Sequence, residues 1–210
     1  MDSSTAGVLE TFLVLLIGVG PKIALVPYLK ITAPLDEPTR QRVQWKMLRT
    51  AAGAAFALIV FGELLRVLFH FTVASLSIAG GVVLLVLAVT MVLGDADTSR
   101  ALVEGKDPMQ LAQVPLAVPY LLNPVGIVAL VTLSAEADML SELAVAVVSL
   151  AAVLLLDVAV FRWAPLLGNR LDEDRMLVVE KVFGFIIAAI AVQLVLDGLA
   201  ASGLIAGTSH

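Results

Sequence analysis

Apolar residues fall along this chain in six long blocks, at roughly 8–29, 47–69, 74–94, 113–135, 141–163 and 178–200, with short polar stretches between them. Each block is close to the ~20 residues a helix needs to cross a hydrocarbon core of about 30 Å. Lipid-exposed backbone must satisfy its own hydrogen bonds, and these blocks are far too long for barrel strands. The pattern predicts an all-α membrane protein of six transmembrane helices, forming a single transmembrane domain over residues 1–210.

Two blocks are interrupted in the same way. The first contains "IGVGPKIALVPYL", with Gly20-Pro21, then Lys22 and a second proline at Pro27; the fourth contains "LLNPVG", with Asn123-Pro124. Proline removes a backbone donor and frees a carbonyl one turn earlier, so broken helices are predicted at both places. Pro21 and Pro124 lie 103 residues apart, while Gly80 and Gly184, like Gly94 and Gly198, lie 104 apart. Such nearly constant offsets predict a repeat of three spans, 8–94 and 113–200. Three is odd, so the second copy is inverted relative to the first. Inverted repeats with Gly/Pro-interrupted segments at matching positions build transporters whose substrate site lies at the breaks. That places Gly20, Pro21, Asn123 and Pro124 among the candidate substrate-binding residues.

Composition agrees with the blocks. Hydrophobic residues make up 60% of the chain and charged residues 15%, against about 45–50% and 25% in soluble domains. Mean hydropathy is +1.02. There is no cysteine, which excludes disulfides and thiolate chemistry, and two histidines, His70 and His210, do not make a metal cluster. No nucleophile–base constellation or Gly-rich phosphate loop is present, so neither an enzyme nor a cofactor is expected, nor a nucleic-acid partner. The start, "MDSSTAGVLE", lacks a basic region before its apolar run and does not read as a cleaved signal peptide.

The placement of charge sets an expected orientation. Eleven of the thirteen Lys and Arg residues fall on one side: Lys30, Arg40, Arg42, Lys46 and Arg49 after the first block, Arg100 and Lys106 after the third, and Arg162, Arg170, Arg175 and Lys181 after the fifth. By the positive-inside rule that side is cytoplasmic, and both termini face outward from a cell inner (plasma) membrane. The basic stretch 30–49 could also meet anionic lipid head groups of the bilayer.

Charges inside the blocks are the remaining candidate chemistry. Lys22 lies about 10 Å from the inner end of its helix, where it either snorkels or faces a wet cavity and meets a carboxylate. Asp157 in the fifth block lies at a similar depth and is a candidate ion-pair or proton-coupling partner for Lys22. Glu63 and Arg66 share a helix face near the outer surface and read as a local pair. Gln193 is expected to line the cavity, Asp197-Gly198 to end the last helix, and Gly80 and Gly81 to allow close helix packing.

The strings "LSIAGGVVLLVLAVTMVLG", "QVPLAVPYLLNPVGIVALVTL" and "VFGFIIAAIAVQLVLDGL" resemble the MarC family of bacterial inner-membrane proteins over nearly the whole chain. The resemblance implies six spans and a grouping with amino-acid exporters of the LysE type. The first span of that family typically reads "DPIGNIP", where this chain has "GPKIALVP"; the fourth reads "GPG", where this chain has "NPVG". The polar group beside the break has moved from one half to the other. The expected function is secondary transport or export of a small-molecule substrate, most directly neutral amino acids, by alternating access. A lipid-carrier flippase and a non-transporting membrane protein are the alternatives, and a homo-oligomer is compatible with the chain.

Overall fold

The computed structural model of the protein describes residues 3–94, 105–137, 140–168 and 173–205. Arg100, Arg170 and His210 lie outside the described residues. Among the described residues every regular element is helical: α1 (Ser3–Gly18), α2 (Pro21–Thr32), α3 (Glu37–Phe69), α4 (Val73–Leu93), α5 (Pro108–Leu111), an irregular wide coil (Ala112–Leu121), α6 (Pro124–Glu136), α7 (Leu140–Gly168) and α8 (Glu173–Ala201). Five stretches are long and apolar enough to cross a membrane, or six if residues 108–136, bent by 68° at their break, count as one.

The local reasons are legible residue by residue. Gly20 is extended (φ −89°, ψ 166°) and Pro21 opens α2; Asn123 is extended in nearly the same way (φ −87°, ψ 168°) and Pro124 opens α6. Proline suits the first helical position, where its missing donor would have had no partner. The fourth block departs from the expected helix with one break. The residue before a proline is pushed towards extended backbone, and "VPLAVP" does this twice, at Val114 (φ −136°, ψ 117°) and Val118 (φ −136°, ψ 123°). The stretch 30–49, expected as a loop, is mostly helix. Asp36 is extended, Glu37 and Pro38 start α3, and an acid with a proline in the first turn is a favourable helix start. At the far end of α3, left-handed His70 and a reciprocal Thr72–Ser75 capping box turn the chain into α4.

Packing is organised by glycine. In the antiparallel pair α4–α8, a Cβ on Gly81 would meet Val195 and Ala191, one on Gly184 would meet Val92 and Met91, and one on Gly198 would meet Ile78 and Ala74. Small residues let helices approach where lipid supplies no hydrophobic driving force between them. Gly80 instead faces Pro124 and Val128 on α6, tying this pair to the second break. The larger core gathers α1, α2, α3, the wide coil and α7 around Tyr28, whose ring meets Phe161 edge-on with centroids 5.0 Å apart. On the outer surface a cleft of about 500 Å³ separates α3 from α7, flanked by the exposed Trp45 and Trp163. Arg49 lies over the Trp45 ring, 5.7 Å from its centroid.

Candidate functional site

The two breaks meet. α1 ends at Gly18 and leaves its last carbonyls without intrahelical partners, as every helix does. Asn123 takes two of them: its backbone N–H donates to Gly18 O (3.0 Å) and its Nδ2 donates to Ile17 O (2.9 Å). Its Oδ1 accepts from the amides of Val125 (2.9 Å) and Gly126 (3.2 Å), capping α6. One side chain therefore closes the end of one helix and the start of another. Gly18 and Gly126 make this possible, since a Cβ on either would collide with the backbone of the other.

This joint is buried and its polar groups are spent on each other. Asn123 is fully buried, and Pro124 and Gly126 are buried beside it. Expected to face an open substrate site, Asn123 and Pro124 in this arrangement form the joint itself and do not line the large cavity. The first break is its unequal counterpart. Gly20 has no side chain, so no side-chain bond caps α2, and a Cβ there would strike Leu16 O.

The space lies further towards the basic end of the bundle. A cavity of about 870 Å³ opens between the end of α2, the end of α4, the wide coil and α8, a volume within the ~300–1,000 Å³ typical of small-molecule sites. Its polar side chains are Lys30, Thr90, Lys106, Gln110, Gln113, Tyr120 and Glu180. Lys30 and Glu180, 150 residues apart in sequence, form an ion pair across it. Lys181 donates to Val92 O (2.7 Å) and Gly94 O (3.4 Å), fastening α8 to the end of α4 at the rim. Ile23, Leu84, Ala88, Met91, Ile187 and Ala191 form a second apolar cluster, with Tyr120 and Val125 packed against it. That cluster runs from the cavity wall, at Met91, to the first turns after both breaks, at Ile23 and Val125.

The other expected site residues are dispersed. Lys22 is partly buried, is not among the cavity-lining residues and forms no ion pair with Asp157. Gln193 is exposed and bonds its own helix at Asp197 (2.7 Å), so it does not line the cavity. Glu63 accepts two bonds from Arg66, 2.6 and 2.7 Å, away from the cavity lining. Among the described residues no cluster of three or more His, Asp or Glu could hold a metal. Glu180, Gln113 and Tyr120 are not candidates on the sequence; Gln113 and Tyr120 fall within "QVPLAVPYLLNPVGIVALVTL", which carries the family resemblance but no sign of a site.

The sequence model of the family described as "MarC family integral membrane protein" matches residues 6–202. Among curated proteins, the chain is similar to UPF0056 membrane protein YvbG of Bacillus subtilis, 25% identical over 88% of this chain and 90% of that protein. It is also similar to UPF0056 membrane protein MJ1677 of Methanocaldococcus jannaschii, 26% identical over 84% and 87%. UPF0056 inner membrane protein YhgN of Escherichia coli is 28% identical over 89% and 93%. No solved structure matches the chain.

Proposed function

The chain belongs to the MarC family of integral membrane proteins, and we propose that it is a secondary transporter or exporter of small polar metabolites, with neutral amino acids as substrates. The single observation that carries this reading is the cavity holding the Lys30–Glu180 pair and ending at the apolar cluster below the joined breaks. A zwitterion of zero net charge suits such a wall, with its carboxylate at Lys30 and its ammonium at Glu180. Charge-assisted hydrogen bonds of this kind are the strong ones. The apolar cluster and the tight Gly18–Gly126 contact close the path on the other side of the cavity, which is one of the two states alternating access requires.

The architecture that goes with this function is two inverted three-helix repeats in six spans. It is supported by the matching backbone at Gly20 and Asn123 and by the repeated glycine contacts of α4 and α8. In this reading the cavity opens to the cytoplasm and both termini face outward, in a plasma membrane. The chain has no cysteine, so single cysteines report cleanly. An impermeant thiol reagent applied from outside is expected to modify Ser202→Cys and to spare Ala33→Cys. The reverse pattern would overturn the orientation.

Function is tested in proteoliposomes with labelled neutral amino acids, with and without a pH gradient. Saturable uptake, absent from protein-free vesicles, is expected. Glu180→Gln should lower it about tenfold or more while the protein still inserts and folds, since a charge-assisted bond contributes roughly 1.5–3 kcal/mol. Uptake of none of the amino acids would sink the substrate class, and unchanged uptake by Glu180→Gln would remove this cavity from the route.

A further inference from the structure

Asp157 is fully buried, and neither of its carboxylate oxygens has a hydrogen-bond partner. It belongs to the stripe Ala146, Leu150, Val153, Phe161 and Ala164, the face that α7 turns into the core. Its level in the bundle can be fixed. Glu37 lies 3.9 Å from Arg162 and Gln44 donates to Val158 O (3.4 Å), so α3 and α7 run antiparallel. Gly7–Thr32 and Glu37–Phe69 are consecutive spans joined by residues 33–36, so α2 runs opposite to α3 and with α7. Tyr28 meets Phe161. One turn earlier in each helix, about 6 Å away, Asp157 stands level with Ala24, in the first turn of α2 after the break.

The charged groups on the packed helices are mostly paired with each other or exposed. α1 carries Glu10, which is exposed. On α2, Lys30 pairs with Glu180, and the Tyr28 ring lies on Phe161 while its buried hydroxyl, one turn further along, has no hydrogen-bond partner. On α3, Arg40 and Arg162 of α7 share Glu37, Arg66 holds Glu63, Arg49 lies over Trp45, and Arg42 and Lys46 are exposed. Glu136 of α6 is exposed. Lys22 is the charged exception: it lies in the same first turn of α2, is partly buried and has no ion pair among the described residues.

An ionised carboxylate left alone in such an interior costs several kcal/mol, and it forms no bond that holds this arrangement of helices together. Ionisable groups kept at such positions in membrane proteins serve ion paths and proton relays. Building on the transport reading above, we propose that Asp157 is the proton-carrying group of the cycle. It holds one proton while α2 and α7 are packed as here, and releases it as H⁺ when the α1–α2 break moves and water reaches the carboxylate. Lys22 then stands in the same turn as the counter-charge of the carboxylate that remains.

The test uses the full chain in proteoliposomes and the amino acid giving the largest wild-type signal. Two readouts are compared: counterflow exchange without a pH gradient, and accumulation driven by an imposed one. Asp157→Asn, a near-isosteric neutral replacement, is expected to keep counterflow and lose pH-driven accumulation. Accumulation by Asp157→Asn equal to wild type would overturn the proposal. Infrared difference spectra between mildly acidic and mildly alkaline buffer decide the matter without relying on transport. A carboxyl band present in wild type and missing in Asp157→Asn supports it, and identical spectra overturn it. If wild type shows no counterflow at all, the transport reading fails, while the infrared result still speaks to Asp157.

Discussion

Asn123→Ala is expected to destabilise the folded protein by about 3 kcal/mol, measured by helix content in SDS titrations from mixed micelles. The change removes the cap on Val125 and Gly126 and the donor to Ile17 O together. Loss of a helix cap costs about 1 kcal/mol, and a buried carbonyl left without a donor costs about 1–3 kcal/mol. Full burial gives water no way to replace either bond. Asn123→Ser separates the two contributions, since serine caps a helix about as well as asparagine but is too short to reach Ile17. It should recover about 1 kcal/mol of the loss. Alanine at this position with wild-type stability would show that the joint is not what holds the two breaks together.

A still larger loss is expected for Gly126→Val, about 4 kcal/mol or more, the range reserved for a few named mechanisms. Here the mechanism is backbone against backbone. The atoms a side chain would strike are Gly18 O, C and Cα, and none of these can rotate away as a side-chain tip can. Separating them would also stretch the Asn123 bonds to Ile17 and Gly18. Gly53→Ala is the matched control, because nothing lies within 4 Å of a Cβ there; it should be neutral or up to about 1 kcal/mol stabilising. The comparison is read from the same SDS titrations. Equal midpoints for the two variants would refute the close crossing of α1 and α6.

The contrast between these glycines shows what could be read from the sequence. The breaks were legible because their cause is local: a proline lacks a donor wherever the chain goes afterwards. Membrane helices were legible because length and apolarity are also local sums, and the boundaries of α2, α4 and α8 fall within a few residues of the expected ones. The wide coil was legible in its parts and missed as a whole, since each Val-Pro acts on one residue, while the 68° bend lies at the break that follows, between Leu121 and Pro124. The site was not legible. Lys30 looked like one more positive charge in a basic stretch, and only the fold brings Glu180 to it across 150 residues. Gln193 failed for a related reason: a helix apolar nearly all round carries no signal saying which face looks inward. Asn123 was found, but its bond to Ile17 O was not foreseeable, because that carbonyl belongs to the other half of the chain.

The unequal breaks also fit the departure from the family resemblance. Where this chain has Asn123 at the fourth span, it has Gly20 at the first, and the bonds made by the former have no side-chain counterpart at the latter. A single amide therefore serves a crossing that two polar residues could otherwise have shared.

Trp45 and Trp163 flank the surface cleft between α3 and α7, both substantially exposed, and they are the chain's two tryptophans. Neither lines the large cavity nor touches the crossing of the breaks. Intrinsic emission from this protein is therefore a reporter of its lipid or detergent belt at the basic end of the bundle. A ligand titration followed by tryptophan fluorescence would stay silent even while the cavity fills. A tryptophan introduced in place of Tyr120, on a Trp45→Phe/Trp163→Phe background, would give the cavity an optical signal of its own.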